Sequence, residues 1–269
     1  MKIYFPQWQG SGKGESIEPG AKTILEYLND KEFVQIPLSN INAGENGEQK
    51  YYINNYEALI EQLSRLKKEI KAQNPKIIKT IGGDCGLEIV PVSYLNALYP
   101  NLGVIWFDAH ADINRPCDSP SCNFHGMPLR TLLGEGEKTM DHLLSSVLTP
   151  SQIHYIGLRD IDDTEQNRID KDQIFILSEK DTTQLVDTLK QKNITHLYLH
   201  FDFDCLEPKE YDKTYYRVSD GVTISEAEQH IEMLKKHFTI VGSSLLESIT
   251  TNLSELKPIE TIINELMKD

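Results

Sequence analysis

Asp108, His110 and Asp112 stand at alternate positions directly after the apolar run Gly103–Phe107, in the stretch Trp106-Phe-Asp108-Ala-His110-Ala-Asp112. An unbroken apolar run of that length reads as a buried strand, and open α/β sheets bind their ligands where strands end. Two carboxylates and an imidazole packed so closely repel or desolvate one another unless a cation gathers them. The arrangement recurs in His200-Phe-Asp202-Phe-Asp204, after a second apolar run, Leu197–Phe201. Two carboxylate-bearing strand ends point to one metal centre, most simply a binuclear one. A third strand-like segment runs into Gly82-Gly83-Asp84-Cys85-Gly86, and His125-Gly-Met-Pro128 follows the first motif. Alone, Asp108-Ala-His110-Ala-Asp112 has a second, less favoured reading as a helix N-cap beside a satisfied histidine. The four motifs together favour the metal reading.

The elements that must position these residues alternate between strand-like and helix-like runs, which predicts an α/β fold with a parallel sheet covered on both faces. The expected strands are Lys2–Phe5, Lys76–Ile81, Gly103–Phe107, Ile153–Leu158, Gln173–Leu177, His196–Phe201 and Thr239–Gly242. Between the first two, Tyr56, Leu59, Ile60, Leu63, Leu66 and Ile70 recur at helical spacing, and the pattern stops before Asn74-Pro75. Ser225 with Glu228 three residues on predicts a capping box opening another helix. Gly44–Gly47 reads as a surface loop. Gly10-Ser-Gly-Lys13-Gly lacks the spacing and the following Ser or Thr of a phosphate loop, and reads as a flexible loop. No linker or internal repeat divides the chain, so residues 1–269 read as a single domain.

A chain of 269 residues can bury a large core, and its formal charge of −14 argues against nucleic acid or an anionic membrane surface as a partner. No apolar stretch approaches a membrane span, and Met1-Lys2 leads into a strand rather than a signal sequence. Cys85, Cys117, Cys122 and Cys205 form no small-scaffold framework, which fits a reducing cytoplasm. Cys117 and Cys122 lack zinc-knuckle spacing and read as ordinary thiols.

With these motifs in place, the chain resembles the ureohydrolase family, arginases and agmatinases among them, from the first strand to Glu247, and is closest to the arginases. The resemblance implies a three-layer α/β/α domain with a central, mostly parallel sheet and two Mn(II) ions that hydrolyse linear guanidino compounds to urea. By motif position it makes Asp108 and Asp202 bridging ligands, Asp112 a ligand of one ion, and His110 with Asp204 ligands of the other. The carboxylate and imidazole donor set agrees independently with a hard divalent ion. One position departs: the family motif Gly-Gly-Asp-His, whose His binds the first metal, here ends in Cys85. Cys85 is then a thiolate ligand drawing a softer metal, a non-ligand leaving that metal loosely held, or the mark of a non-catalytic descendant.

The same resemblance implies the mechanism. A hydroxide bridging the two ions attacks the guanidinium carbon. Asp112 orients it and passes a proton to the leaving amine, His125 shuttles protons to solvent, and Glu247 pairs with the guanidinium. Asn114, Ser121 and Asn123 match the offsets at which arginases hold an amino acid's α-carboxylate and α-amino groups. Asp162, in Tyr155-Ile-Gly-Leu-Arg159-Asp160-Ile-Asp162, matches the residue that holds the α-ammonium, with Glu165 in support. L-Arginine is thereby preferred over agmatine, and family members suggest a homo-oligomer, trimer or hexamer. A second departure, Tyr215-Tyr-Arg217-Val-Ser-Asp220-Gly-Val-Thr223, reshapes the expected pocket mouth and leaves other substrates open: agmatine, guanidinobutyrate, formiminoglutamate or guanidine. A one-zinc, deacetylase-like hydrolase is a further alternative, against which His110 and Asp204 argue. So is a non-catalytic binding protein of the same fold.

Overall fold

Continuous apolar runs become the interior strands of one sheet. In the computed structural model, which describes residues 1–41, 47–177 and 181–268, the strands are β1 (Lys2–Phe5), β2 (Phe33–Gln35), β3 (Ile78–Gly82), β4 (Gly103–Phe107), β5 (Ile153–Ile156), β6 (Phe175–Leu177), β7 (His196–Phe201) and β8 (Thr239–Leu245). They lie in the order β2-β1-β3-β8-β7-β4-β5-β6, and every pairing is parallel. Parallel pairing demands crossovers, and helices fill them on both faces.

The period of two along each strand splits the core into two layers. Val104 and Trp106 of β4 pack with Tyr198, Tyr155 and the helix Tyr56–Gln73, which buries Leu59, Leu63, Leu66 and Ile70. Ile105 and Phe107 face the other way, onto Leu199, Phe201 and the helices Ile224–His237 and Glu260–Met267. Each of these large apolar side chains contributes on the order of 1.5–3 kcal/mol by leaving water. The expected α/β/α architecture is therefore the observed one, with an all-parallel sheet.

The departures have local causes. Strand β2 has only three residues, none fully buried, and sits at the sheet edge, so it carries no apolar run to read. The helix Gly14–Leu28 was hidden by Pro19 and Gly20 within it. The Gly10–Gly14 segment is not a free loop: Ser11 and Gly12 donate to the Trp8 carbonyl, Gly10 donates to Asp84 Oδ2 at 2.7 Å, and Lys13 begins that helix. The capping box of the helix Ile224–His237 is Thr223 with Glu226 rather than Ser225 with Glu228. The Glu226 amide donates to Thr223 Oγ1 at 3.2 Å, and the Thr223 amide donates to Glu226 Oε2 at 2.9 Å. Strand β3 starts two residues later than expected and β8 runs three residues further, because Ser243 and Ser244 are buried in the ladder beside β3. Of the expected loop Gly44–Gly47, residues 44–46 lie outside the described residues. No described helix is long and apolar enough to cross a membrane.

His154 on β5 is fully buried, with Nδ1 3.0 Å from the Gln152 carbonyl oxygen and Nε2 3.1 Å from Lys192 Nζ. Burial, aided by the Lys192 ammonium, pushes its pKa down to about 3. A depressed histidine stabilises the fold above its unfolded pKa, near 6.5, and loses that contribution as pH falls toward the folded value. Replacing His154 with Asn should therefore cost less at pH 4.5 than at pH 7. In urea unfolding with chelator present, the deficit of His154→Asn should shrink by about 2–3 kcal/mol between those pH values.

Candidate active site and metal centre

Five neighbouring strands deliver polar residues at their carboxyl ends. β3 leads to Asp84 and Cys85, β8 to Glu247, β7 to Asp202 and Asp204, β4 to Asp108, His110 and Asp112, and β5 to Asp160 and Asp162. Ladder-like hydrogen bonds continue past the strands and lock these ends side by side. Asp108 N donates to Ile156 O at 3.1 Å, Asp202 N to Phe107 O at 2.9 Å, and Glu247 N to Gly83 O at 2.7 Å. Gly83 is required there, since a Cβ would come within 1.7 Å of the Gln7 carbonyl oxygen. Asp84 donates nothing to the centre. Its carboxylate accepts from Gln7 Nε2, Gly10 N and Gly86 N, and so fixes the loop that presents Cys85. Asp112 (φ 52°) and Glu247 (φ 60°) both hold left-handed backbone, costing about 1–3 kcal/mol each, a strain concentrated at functional sites.

Three groups of side chains bring ligand atoms within 4.8 Å of one another: Cys85, Asp108, Asp112 and His200; Cys85, Asp202 and Glu247; and Asp108, His110 and Asp204. Asp108 and Cys85 each belong to two of them, whereas Asp202, also expected to bridge, belongs to one. His110 Nδ1 lies 2.9 Å from Asp204 Oδ2 and 3.4 Å from Asp108 Oδ1, while its Nε2 faces Asp160 Oδ2 at 3.6 Å. The Cys85 sulfur lies 3.3 Å from Asp202 Oδ2.

The electrostatics ask for a cation. Burial and Asp108 push the Asp112 carboxyl well above the usual carboxylate range, and burial and Asp204 do the same to Asp202. Asp204 is pushed up to about 6 by burial and by Asp108. Burial and Asp202 also push the Cys85 thiol up. Asp112 Oδ2 and Glu247 Oε2 are buried without a hydrogen-bond partner. Divalent ions among the aspartates would relieve the crowding of their carboxylates, so the donor set fits a binuclear metal group.

A cavity of about 260 Å³ opens over the cluster. Its lining includes Cys85, Asp112, Asp202, Asp204 and Glu247, the buried Asn114 and Glu165, and the exposed Ser121 and Asp162. Asn114 Nδ2 donates to Asp162 Oδ2 at 2.9 Å. His125 reaches in from the short helical turn Phe124–Gly126, with Nδ1 3.2 Å from Glu247 Oε1. Glu165 lines the wall, but both its oxygens accept backbone N–H groups, from Ile113 and Asp162, in a capping box that shapes the segment Asp162 belongs to. Asn123 is not in the lining: its side chain is held by Asn54 and the Ser11 carbonyl. Of Tyr215, Tyr216 and Arg217, only Tyr216 lines the cavity, its ring 5.5 Å from that of His125.

Three contributors escaped sequence reasoning. Arg159 spreads its guanidinium over the carbonyls of Asp204, Cys205 and Val218, tying the β5 and β7 loops together. Fully buried His200 and Glu88 stand behind the cluster. The signal for His200 was present, since it stands at the same alternation in His200-Phe-Asp202-Phe-Asp204, but the pattern alone assigned it no role of its own.

Comparisons with known proteins agree with this geometry. The Arginase family model matches residues 15–251. An arginase of Staphylococcus aureus (strain MRSA252) is 35% identical over 243 residues, covering 85% of this chain and 79% of that protein. An arginase of Coccidioides immitis (strain RS) is 32% identical over 222 residues, covering 76% and 68%. Among solved structures, Entamoeba histolytica arginase in complex with L-ornithine superposes with a TM-score of 0.86 at 24% identity, covering 100% of this chain and 98% of that one. The formimidoylglutamase of Bacillus subtilis superposes with a TM-score of 0.73 at 14% identity, covering 98% and 85%. These two likenesses speak to the fold, and the sequence matches speak to descent. The chain belongs to the arginase family and is a hydrolase of the binuclear-metal ureohydrolase type.

Proposed function

We propose that this protein hydrolyses L-arginine to L-ornithine and urea with two divalent ions, Mn(II) foremost, held by Asp108, His110, Asp112, Asp202, Asp204 and Cys85. The observation that carries the proposal is one small cavity whose lining joins Cys85, Asp112, Asp202, Asp204 and Glu247 to Asn114, Ser121 and Asp162. Its volume, about 260 Å³, lies at the small end for ligand pockets and suits a single amino acid. The metal pair, when bound, supplies Lewis acidity that makes a water nucleophilic near neutral pH.

The chain's own residues do the rest. Glu247, buried and with Oε2 unpartnered, accepts the guanidinium N–H groups and aligns the carbon in the cavity. Asp112 Oδ2, also unpartnered, receives a proton and delivers it to the departing amine. His125 sits between Glu247 and Tyr216, where its imidazole exchanges protons with solvent. Asp162 holds the α-ammonium, with Asn114 fixing its orientation, and Ser121 faces the α-carboxylate. Agmatine lacks that carboxylate. The lining carries Asp112, Asp162, Asp202, Asp204 and Glu247, which favours a cationic amino acid over a neutral amide. A cytoplasmic homo-oligomer, trimer or hexamer, belongs to the same proposal.

Urea release from a panel of guanidino compounds tests the reading, with L-arginine the preferred substrate; preference for agmatine or guanidinobutyrate, or formamide release from formiminoglutamate, would replace it. Asp162→Asn keeps the helix cap and removes the charge, and should lower kcat/KM for L-arginine about 10- to 150-fold, the equivalent of about 1.5–3 kcal/mol, chiefly through KM. His125→Asn should lower kcat roughly 10²- to 10⁴-fold with little change in KM. Chelation should abolish urea release and lower the unfolding temperature. Mn(II) at 100 times its Kd should restore about 2.7 kcal/mol of stability for each ion bound.

A further inference from the structure

We propose that His200 is a metal ligand, completing with Cys85, Asp108 and Asp112 a compact sulfur-nitrogen-oxygen site that takes a softer ion than its neighbour, and that Glu88 positions its ring. The inference rests on the reading of the cluster as a metal centre. The four side chains present atoms that lie within 4.8 Å of one another, and all four residues are buried. His200 Nε2 is 3.4 Å from Asp108 Oδ2 and 3.7 Å from the Cys85 sulfur. For metal–nitrogen and metal–sulfur bonds of about 2.0–2.3 Å, neighbouring ligands of a tetrahedral ion are about 3.3–3.8 Å apart. The spacing is thus that of adjacent corners of one coordination shell.

The His200 ring is built for that role. It stacks flat on the Trp106 indole, with centroids 3.4 Å apart and planes 3° apart, while Trp106 Nε1 donates to Asp108 Oδ2 at 3.1 Å. Behind it, His200 Nδ1 faces Glu88 Oε1 at 3.5 Å. Neither that nitrogen nor either Glu88 oxygen makes a hydrogen bond. A buried carboxylate with no hydrogen bond is costly unless it is there to accept the ring N–H. Ligation through Nε2 places the proton on Nδ1, and Glu88 then fixes the tautomer and raises the ligand's basicity, as outer carboxylates do for metal-bound imidazoles. Thiolate and imidazole together select Zn(II) or Co(II) over Mn(II). The other half of the centre, with His110, Asp108 and Asp204, has no sulfur and suits the harder ion.

Co(II) loaded alone into metal-stripped, full-length protein gives readouts independent of turnover. The unmutated protein should bind two ions per chain, show a thiolate-to-cobalt charge-transfer band, and display two paramagnetically shifted, exchangeable ring N–H resonances, from His110 and His200. Glu88→Gln should lower the affinity of one of the two sites roughly 10- to 100-fold and leave the other unchanged. His200→Gln should lower that same site's affinity further and remove one shifted resonance. A single shifted resonance in the unmutated protein overturns the assignment, whether or not the variants fold. So does one ion per chain, which would make His200 a buried cation standing in for the second. Both signatures without urea release from any guanidino compound would support the ligand assignment while removing the proposed reaction.

Discussion

The repulsion among carboxylates crowded at the ends of adjacent strands is the constraint on which the site depends. Asp108, Asp112, Asp202 and Asp204 are all nearly inaccessible to water, and Asp84 and Glu247 are buried beside them. Isolated ionised groups in such surroundings would cost far more than any packing gain nearby, so the arrangement makes sense only with positive charge among them. The sheet supplies the rigidity to hold them there. Strands β3, β8, β7, β4 and β5 come from distant parts of the chain, yet their parallel pairing aligns all five carboxyl ends. Backbone hydrogen bonds such as Asp202 N to Phe107 O extend that alignment beyond the last strand residue.

Around this core the chain distributes two jobs. Some side chains face the cavity, while others hold loops in place. Asp84 secures the Gly82–Gly86 turn, Arg159 ties the β5 and β7 loops, and Glu165 caps the helix that follows Asp162. Asp84 and Glu165, each pushed up to about 7 chiefly by burial, show that even these supporting carboxylates share the site's shortage of solvent. The strained backbone at Asp112 and Glu247 marks the two points where pointing a carboxylate inward outweighed local preference.

Much of this was legible in the sequence, and the limits are physical. Strands β1, β4 and β7 were readable to the residue, because mostly buried parallel strands are largely apolar runs. Strand β2 was not, being a three-residue edge. The alternating Asp108-His110-Asp112 and Asp202-Asp204 patterns carried the candidate centre, since a period of two survives past the strand end. Asn114, Ser121 and Asp162 reach the cavity as their offsets implied, but Asn123, two residues from Ser121, turns away to Asn54 and Ser11. Loop offsets fix a residue's neighbourhood and leave its direction to the fold. His200 and Glu88 were invisible as partners because 112 positions separate them and both lie in buried segments, where sequence offers no sign that two polar side chains meet.

The most direct test of the central claim, that cations bind between these strand ends, is anomalous diffraction from crystals of metal-stripped protein grown with Co(II). Two anomalous peaks about 3.5–4 Å apart, flanking Asp108, are the expected result. A single peak, or none, with the carboxylates unchanged in position would contradict it and leave their charge to be balanced by protons and by the buried histidines.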